Sequence, residues 1–587
     1  MSEPILIQGF KGGQADSLYD PLEKQTFKSA RNLDVLTELN ILRPFQVLAA
    51  VTQPSGDGMT DYQPINVERG ADGRFWLLGS ATIAAATHIV LHSSTDMATW
   101  RLDWKRNSGT VFDVLEEFKD GMYFGHSVSN TSYLKRIGNF IGTDPTFTVT
   151  IASPGVFTST THGLALDDTV IFATTGALPT GLTAGTLYYV ISAGLTANDF
   201  QVSTTRGGSA VNTSGSQSGT HTIVQFTKTI TSSLTGTMTF LRAHKGLGKI
   251  FFIHDSGRKI GWYDNSTVTL AALTLDADDV AVGIEPWGRF CKVGVRGTNG
   301  KSRFLIWDGQ NLTIDDLIPL PDVGLQTFRI INGETHYIMG NSTTQAMSLK
   351  YLVDAELIKD FKLGGSGGSA SCNPNAVDVS GGNFLFGFAG ATYTNYDQVI
   401  WQYGTGVKRF PKILTPLRTK SDGSTTDINF ICVKQFADRL VIISKNGANT
   451  VVTMEQSGQS FTVSDDGVYE TGLIALNGGQ PGKLARMIIN HESIPASCGF
   501  TVQIKHVGNY PWGTTVPTAE SYQDLTTSEG SNSSTGKTQS TDGAVITEIA
   551  GHELFKDARY VQIKIKYDET SGTTSWGLVF PIILERV

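Results

Sequence analysis

The chain of 587 residues carries a formal net charge of -8, and only 17% of its residues are charged. That length suits about two to four domains of ordinary size, and the lack of clustered Lys and Arg excludes a protein that grips nucleic acid by neutralising phosphates. With 64 glycines and abundant Thr and Ser, the composition has the turn-rich texture of a β protein, and no clean helical stripe is present.

Residues 1–50 read as an extended N-terminal arm. Ile5-Leu6-Ile7 alternates briefly and then breaks on Gly9, Gly12 and Gly13, and Leu33-Asp34-Val35-Leu36 is followed by Leu42-Arg43-Pro44-Phe45. Such an arm would either complete a sheet where the following domain closes or reach a neighbouring subunit, and sequence does not choose. The first residues have neither the basic region nor the apolar core of a signal peptide, and no apolar run has the length of a membrane span. A soluble protein made in a reducing cytoplasm, which if it leaves its cell does so without a Sec signal, is expected.

From residue 51 a phrase recurs about every 40 to 55 residues, in which a polar turn leads into a short aromatic or aliphatic strand. It reads Gly73-Arg74-Phe75-Trp76-Leu77-Leu78, Gly121-Met122-Tyr123-Phe124, Lys249-Ile250-Phe251-Phe252-Ile253, Arg289-Phe290-Cys291-Lys292-Val293, His336-Tyr337-Ile338-Met339, Asn383-Phe384-Leu385-Phe386 and Asp438-Arg439-Leu440-Val441-Ile442-Ile443. A further strand follows most of these, such as Ile260-Gly261-Trp262-Tyr263 or Phe304-Leu305-Ile306-Trp307. A strand-only repeat of this length predicts a β-propeller of about seven blades, because one four-stranded sheet cannot bury both its faces and stacked sheets can. The blades are assigned to 51–144 and 229–468. Phe251, Phe290, Phe384, Trp262, Trp307 and Trp401 are read as packing between blades rather than as carbohydrate platforms.

Between them, residues 145–228 lose charge and fill with Thr, Ser, Gly and Ala around the strands Phe147-Thr148-Val149-Thr150, Thr169-Val170-Ile171-Phe172, Leu187-Tyr188-Tyr189-Val190-Ile191 and Phe200-Gln201-Val202-Ser203. This is a small β domain inserted in a loop of the second blade. Gly364–Ser369 is a flexible loop between later blades. After residue 468 the period stops, and strict alternation such as Val561, Ile563, Ile565 against Gln562, Lys564, Lys566 predicts a C-terminal β-sandwich over 469–587, with a Ser/Thr/Gly-rich mobile loop at 512–545.

Motifs that carry chemistry fail on inspection. Thr535-Gly536-Lys537-Thr538 and Gly297-Thr298-Asn299-Gly300-Lys301-Ser302 lack the first glycine and the helix of a phosphate loop. His491-Glu492 starts like a zincin helix but meets Pro495 where the second ligand belongs. Asp276, Asp278 and Asp279, like Asp315 and Asp316, read as solvated turns without the glycine and glutamate of a calcium loop. Cys291, Cys372, Cys432 and Cys498 are far apart and read as small buried hydrophobes. Ser93–Trp100 resembles the Asp-box hairpin of sialidase-like propellers, a structural brace, with the aspartate one residue too close to Trp100 and the glycine missing. No residue is therefore assigned a catalytic, cofactor-binding or metal-ligating role, and a protein that is not an enzyme and carries no cofactor is expected.

The inserted segment, from Gly155-Val156-Phe157-Thr158 through Gly176-Ala177-Leu178-Pro179 to Ser218-Gly219-Thr220-His221-Thr222, resembles a β module that recurs in bacteriophage tail and virion proteins. The plan as a whole resembles the tail nozzle proteins of short-tailed phages: Gly9-Phe10-Lys11-Gly12-Gly13, Ala30-Arg31-Asn32-Leu33-Asp34-Val35 and Leu42-Arg43-Pro44 are similar to their N-terminal arm, and the closing β domain ending in Leu584-Glu585-Arg586-Val587 fits their layout. The resemblance implies a virion tail protein that forms a homo-hexameric ring, contacts other tail proteins (adaptor and fibres), extends the DNA channel and gates genome exit toward the host envelope. DNA would pass without sequence-specific binding. The alternative is a receptor- or glycan-binding tail-tip or fibre protein, with depolymerase activity if two carboxylates face one cleft. A cellular propeller adaptor is the third reading.

Overall fold

The computed structural model describes residues 51–353 except 56–57, 108, 130, 139–144, 298–300 and 341–346, and outside that span chiefly the strand segments named below. Gly364–Ser369, Thr535–Thr538, Pro495 and most of 512–545 lie outside the described residues.

The described elements are β-strands, and each recurrent phrase is the second strand of a four-stranded antiparallel sheet. The strand before it is the innermost of its blade. These inner strands are Met59–Arg69, Thr110–Phe118, Phe240–His244, Asp279–Trp287, Leu325–Ile331, Val377–Ser380 and Ile428–Phe436. Each touches the next, and the seventh returns to the first, so the ring is closed with seven blades. The protein is a seven-bladed β-propeller.

Apolar cores lie between blades. Trp76, Leu78, Ile89 and Trp104 of blade one pack on Leu115, Met122 and Phe124 of blade two, and Phe75, Leu77 and Val90 pack on Cys432, Val441 and Ile443 of blade seven. Second-strand glycines admit the rings of the following blade. A Cβ at Gly294 would lie 2.7 Å from the Phe328 ring, and one at Gly387 would lie 2.7 Å from Phe430, closer than any side chain tolerates. Phe251, Phe384, Trp307 and Trp401 are buried as expected. Trp262 and Phe290 are only partly buried, at the margins of their clusters. Phe290 pairs with Trp287 at the hairpin end of its strand, whereas Phe251 pairs with Arg242 two positions further in, so the two phenylalanines are not equivalent.

The segment expected as a free arm is woven into both ends of the molecule. Leu48–Ala50 pairs with Asn449–Glu455 as the outermost strand of blade seven, which settles the first of the two fates. Further back, Ile5–Ile7 and Ile41–Pro44 pair with one edge of Leu578–Arg586, and Ser29–Arg31 pairs with Val468–Glu470. The sandwich is therefore not confined to 469–587. Its two six-stranded sheets need the arm to cover the open edge of Leu578–Arg586, and Ile7, Ala30, Leu33 and Leu42 are buried in the same core as Ile563, Ile565 and Leu584. Arg43 pairs with Glu492 in a two-pronged contact, one prong at 2.7 Å.

The insertion leaves blade two between its third and fourth strands. Thr146–Val149, Phe157–Thr158, Asp199–Ser203, Leu187–Ile191 and Thr169–Thr174 pair in that order, and the first half of His221–Leu234 closes the circle by pairing with both ends. The result is a small six-stranded barrel around Phe147, Phe157, Phe172 and Phe200. The second half of the same 14-residue strand is the outer strand of blade two. A buried ion pair reinforces the join: Lys135 Nζ lies 2.6 Å from Asp168 Oδ1, while Asp167 accepts from Arg106 of blade one at 2.7 Å and Arg206 of the barrel at 2.8 Å.

Candidate functional site: a charged belt on the propeller axis

The inner strand of every blade places one charged residue at the same level. Six of them occupy the third pair from the hairpin that leads to the second strand: Glu116 opposite Tyr123, Arg242 opposite Phe251, Glu285 opposite Lys292, Arg329 opposite His336, Asp378 opposite Leu385 and Lys434 opposite Val441. Glu68, opposite Trp76, completes the belt from blade one, one pair nearer its longer turn. Arg242 bridges Glu116 at 3.5 Å and Glu285 at 2.9 Å, Arg329 approaches Glu285 at 3.2 Å, and Lys434 meets Glu68 at 2.7 Å. Glu285 Oε1 receives both guanidinium groups without an aligned hydrogen bond, so those contacts are ionic. Asp378 instead accepts the backbone N–H of Gln435 at 2.7 Å.

Taking these groups out of water is costly, and their mutual pairing offsets the cost. Burial alone works against the charge of Arg242 and Lys434, yet Glu285 and Glu116 around the first and Glu68 and Asp378 around the second raise both pKa values. Burial pushes Glu116 and Asp378 upward, against the pull of Arg242 on the former and Lys434 on the latter.

Beneath the belt the axis is bridged. Asp113, on the inner strand of blade two, accepts from Asn66 Nδ2 of blade one at 3.3 Å and from Asn373 Nδ2, just before blade six, at 3.0 Å, and Asn375 Nδ2 reaches its backbone carbonyl. Burial pushes its carboxyl up to about 6 in spite of these donors. The belt borders a polar cavity of about 410 Å³, lined by residues of six inner strands and their hairpins. Lys245, exposed at the hairpin of blade three, marks its open side.

The motifs singled out by sequence lie elsewhere. Asp279 is tied to Arg303, Asp276 and Asp278 are exposed in a turn, and Asp315 and Asp316 are exposed where the outer strand of blade four begins. His491 is buried at a strand end, its ring bonded to the Glu492 carbonyl. Cys291, Cys372 and Cys432 are buried and free, and among the described residues no group of His, Cys, Asp and Glu is placed to hold a metal ion. The Ser93–Trp100 hairpin links the third and fourth strands of blade one, where Asp96 accepts from Ser94 and from the N–H groups of Ala98 and Thr99, each at 2.8 Å. Asp264 and Asp308 brace the corresponding turns of blades three and four through the N–H groups two and three residues on. These bonds hold Asp96 and Asp264 down at about 2.

Sequence reasoning missed the belt. Its signal is a charged residue seven positions before its partner in the second strand, a spacing kept by Glu116, Glu285, Arg329, Asp378 and Lys434.

No family model matches the chain, and no curated protein matches its sequence. Solved structures to which it is similar include YCF48 bound to a D1 peptide, at 9% identity and a TM-score of 0.34, covering 70% of this chain and 98% of that one. Others are the WD40 β-propeller domain of Doa1, at 10% identity and 0.32 over 70% and 98%, and Chaetomium thermophilum Sqt1 bound to the N-terminus of ribosomal protein L10, at 10% and 0.34 over 69% and 99%.

Proposed function

We propose that this chain is a structural, non-enzymatic component of a bacteriophage tail, a nozzle-like part that assembles as a ring of six copies, extends the DNA channel and gates genome exit. The resemblance of the arm and the inserted module to phage tail proteins supports it, and one observation carries it furthest: propeller, barrel and sandwich are knitted together by strands that belong to two domains at once or return from the opposite end of the chain. Such a part passes load between propeller and barrel along one continuous strand. The belt and the Asp113 bridge stopper each propeller on its own axis, so DNA would run between copies, along a wall that neither grips phosphates nor reads bases. A closed ring of heterologous contacts between identical chains is the arrangement this requires.

Reconstruction of the virion tail tests the proposal. A sixfold ring of this chain on the channel axis is expected, and a peripheral or threefold position would overturn it. The axial cavity favours a second reading, a receptor- or glycan-binding tail-tip protein, because carboxylates and guanidinium groups converge there. Binding of the purified chain to host envelope glycans, coupled to release of reducing sugar, would promote that reading.

A further inference from the structure

The join between blade two and the inserted barrel holds the most deeply buried lysine–carboxylate pair among the described residues. Lys135 stands on the third strand of blade two, Thr131–Gly138, and Asp168 immediately precedes the barrel strand Thr169–Thr174. Their side chains are 5% and 0% exposed, and Nζ lies 2.6 Å from Oδ1. The next such pair, Lys434 with Glu68, is 10% and 17% exposed and borders the axial cavity. Arginine pairs do not compare, because a guanidinium keeps its proton in a protein and is no nucleophile.

The remaining contacts hold both groups in position to react. Thr229, directly across the strand pair from Lys135, places its hydroxyl 2.8 Å from Nζ. The backbone N–H of Ala165 donates to Asp168 Oδ2 at 2.9 Å. That oxygen is the one turned away from the amine, and the donor would stabilise negative charge growing on it as nitrogen adds to the carboxyl carbon. The buried Trp104 ring stands 6.0 Å from Nζ. Burial raises the proton affinity of Asp168 against the pull of Lys135 and of the Ala165 N–H. A neutral amine beside a neutral acid avoids the cost of two desolvated charges in such a place. Two groups held this close react as one molecule, with an effective concentration on the order of 10⁵ M or more.

We propose that Lys135 and Asp168 join in an amide crosslink, which forms without enzyme or cofactor once the barrel has docked on blade two. The ion pair is the state before reaction. The ammonium of Lys135 passes one proton to Asp168 Oδ1, which leaves an amine beside a carboxylic acid. Nζ then adds its lone pair to Cγ, and the Ala165 N–H holds the charge that appears on Oδ2. A second proton moves from nitrogen to the Oδ1 hydroxyl, the Cγ–Oδ1 bond breaks, and one water leaves. Oδ2 remains as the amide oxygen, and one hydrogen stays on Nζ. The bond ties the barrel to blade two independently of the strand they share. The inference does not depend on the tail assignment, and it survives or fails separately from it.

Mass spectrometry of the denatured full chain tests it. The parent should weigh one water less than its sequence requires, and its tryptic digest should contain a branched peptide carrying both Lys135 and Asp168, uncut after Lys135. Lys135→Arg keeps a cation beside Asp168 but offers no amine, and it should return the full sequence mass, as should Asp168→Ala. Lys434, whose pair with Glu68 borders the cavity, should be recovered unbranched. A parent chain at its full sequence mass, a water deficit that persists in Lys135→Arg, or a branch at Lys434 in place of Lys135 would overturn the proposal.

Discussion

The inserted barrel and the end sandwich both fall outside the propeller's repeat, yet they are attached in opposite ways. The barrel is one contiguous stretch whose ends meet: Gly138 and Phe226 are partners across two adjacent strands. The sandwich is divided between the two ends of the chain, with Ile5 opposite Leu584, and the whole propeller lies between its parts. An insertion of the first kind can be lost without opening its host, whereas a domain of the second kind has no independent half. What decides separability is how far apart in the chain the paired strands lie.

The largest effect should come from deleting residues 1–47. Both sandwich sheets lose strands and buried side chains, and no cooperative melt or soluble monomer is expected. Excising 140–224 and linking across Gly138 and Phe226 with a short glycine turn should leave a propeller that melts within a few degrees of the parent. If that excision also abolishes folding, the contrast between the two attachments is wrong. Next in size is Asp168→Ala, which leaves Lys135 buried without its partner. A cost of about 3–5 kcal/mol is expected, read as loss of protection of the barrel in hydrogen exchange while blades three to seven stay protected. Arg43→Ala removes a pair whose side chains are 26% and 32% exposed, and the loss should be about 1 kcal/mol or less by denaturant unfolding.

The smallest effect separates axis from rim by pH. Asp113 holds its proton up to about 6 in the folded protein against 3.8 unfolded, so acidification from pH 6 to pH 4 adds stability through this group. Asp96 and Asp264, held at about 2, contribute stability above pH 4 that is lost as pH falls toward 2. Replacing Asp96 by Asn should flatten the melting curve below pH 4 and leave the interval from 4 to 6 unchanged.

Blades were legible because each is built from neighbours in the chain: Arg242, Phe251 and Trp262 lie side by side within about twenty residues, and the turn chemistry repeats with them. The barrel was legible for the same reason, as a change of composition with strands of its own. The partners of Ile5-Leu6-Ile7 were not, since alternation in three residues says that one face is buried but not against what. The belt escaped for another reason. Glu116 and Lys434 each look like a charge at the end of a strand beside a turn, which is ordinarily solvent-facing, and only the cross-strand register shows that six such charges share one level, with Glu68 one pair away. Asp113 gave still less warning, because its place at an irregularity in the strand pairing between Val111 and Leu115 is visible only in the register.

The pairing of the arm with the last strand also sets a timetable for synthesis. A ribosome adds about 5 to 20 residues per second, so Ile5-Leu6-Ile7 emerges on the order of a minute before Ile582-Ile583-Leu584 exists to receive it. During that interval the strand that closes blade seven also waits for Asn449–Glu455. The nascent chain therefore spends most of its manufacture with adhesive strands uncovered, and its yield in a cell should follow the supply of chaperones that shield the leading segment more closely than the stability of the finished protein.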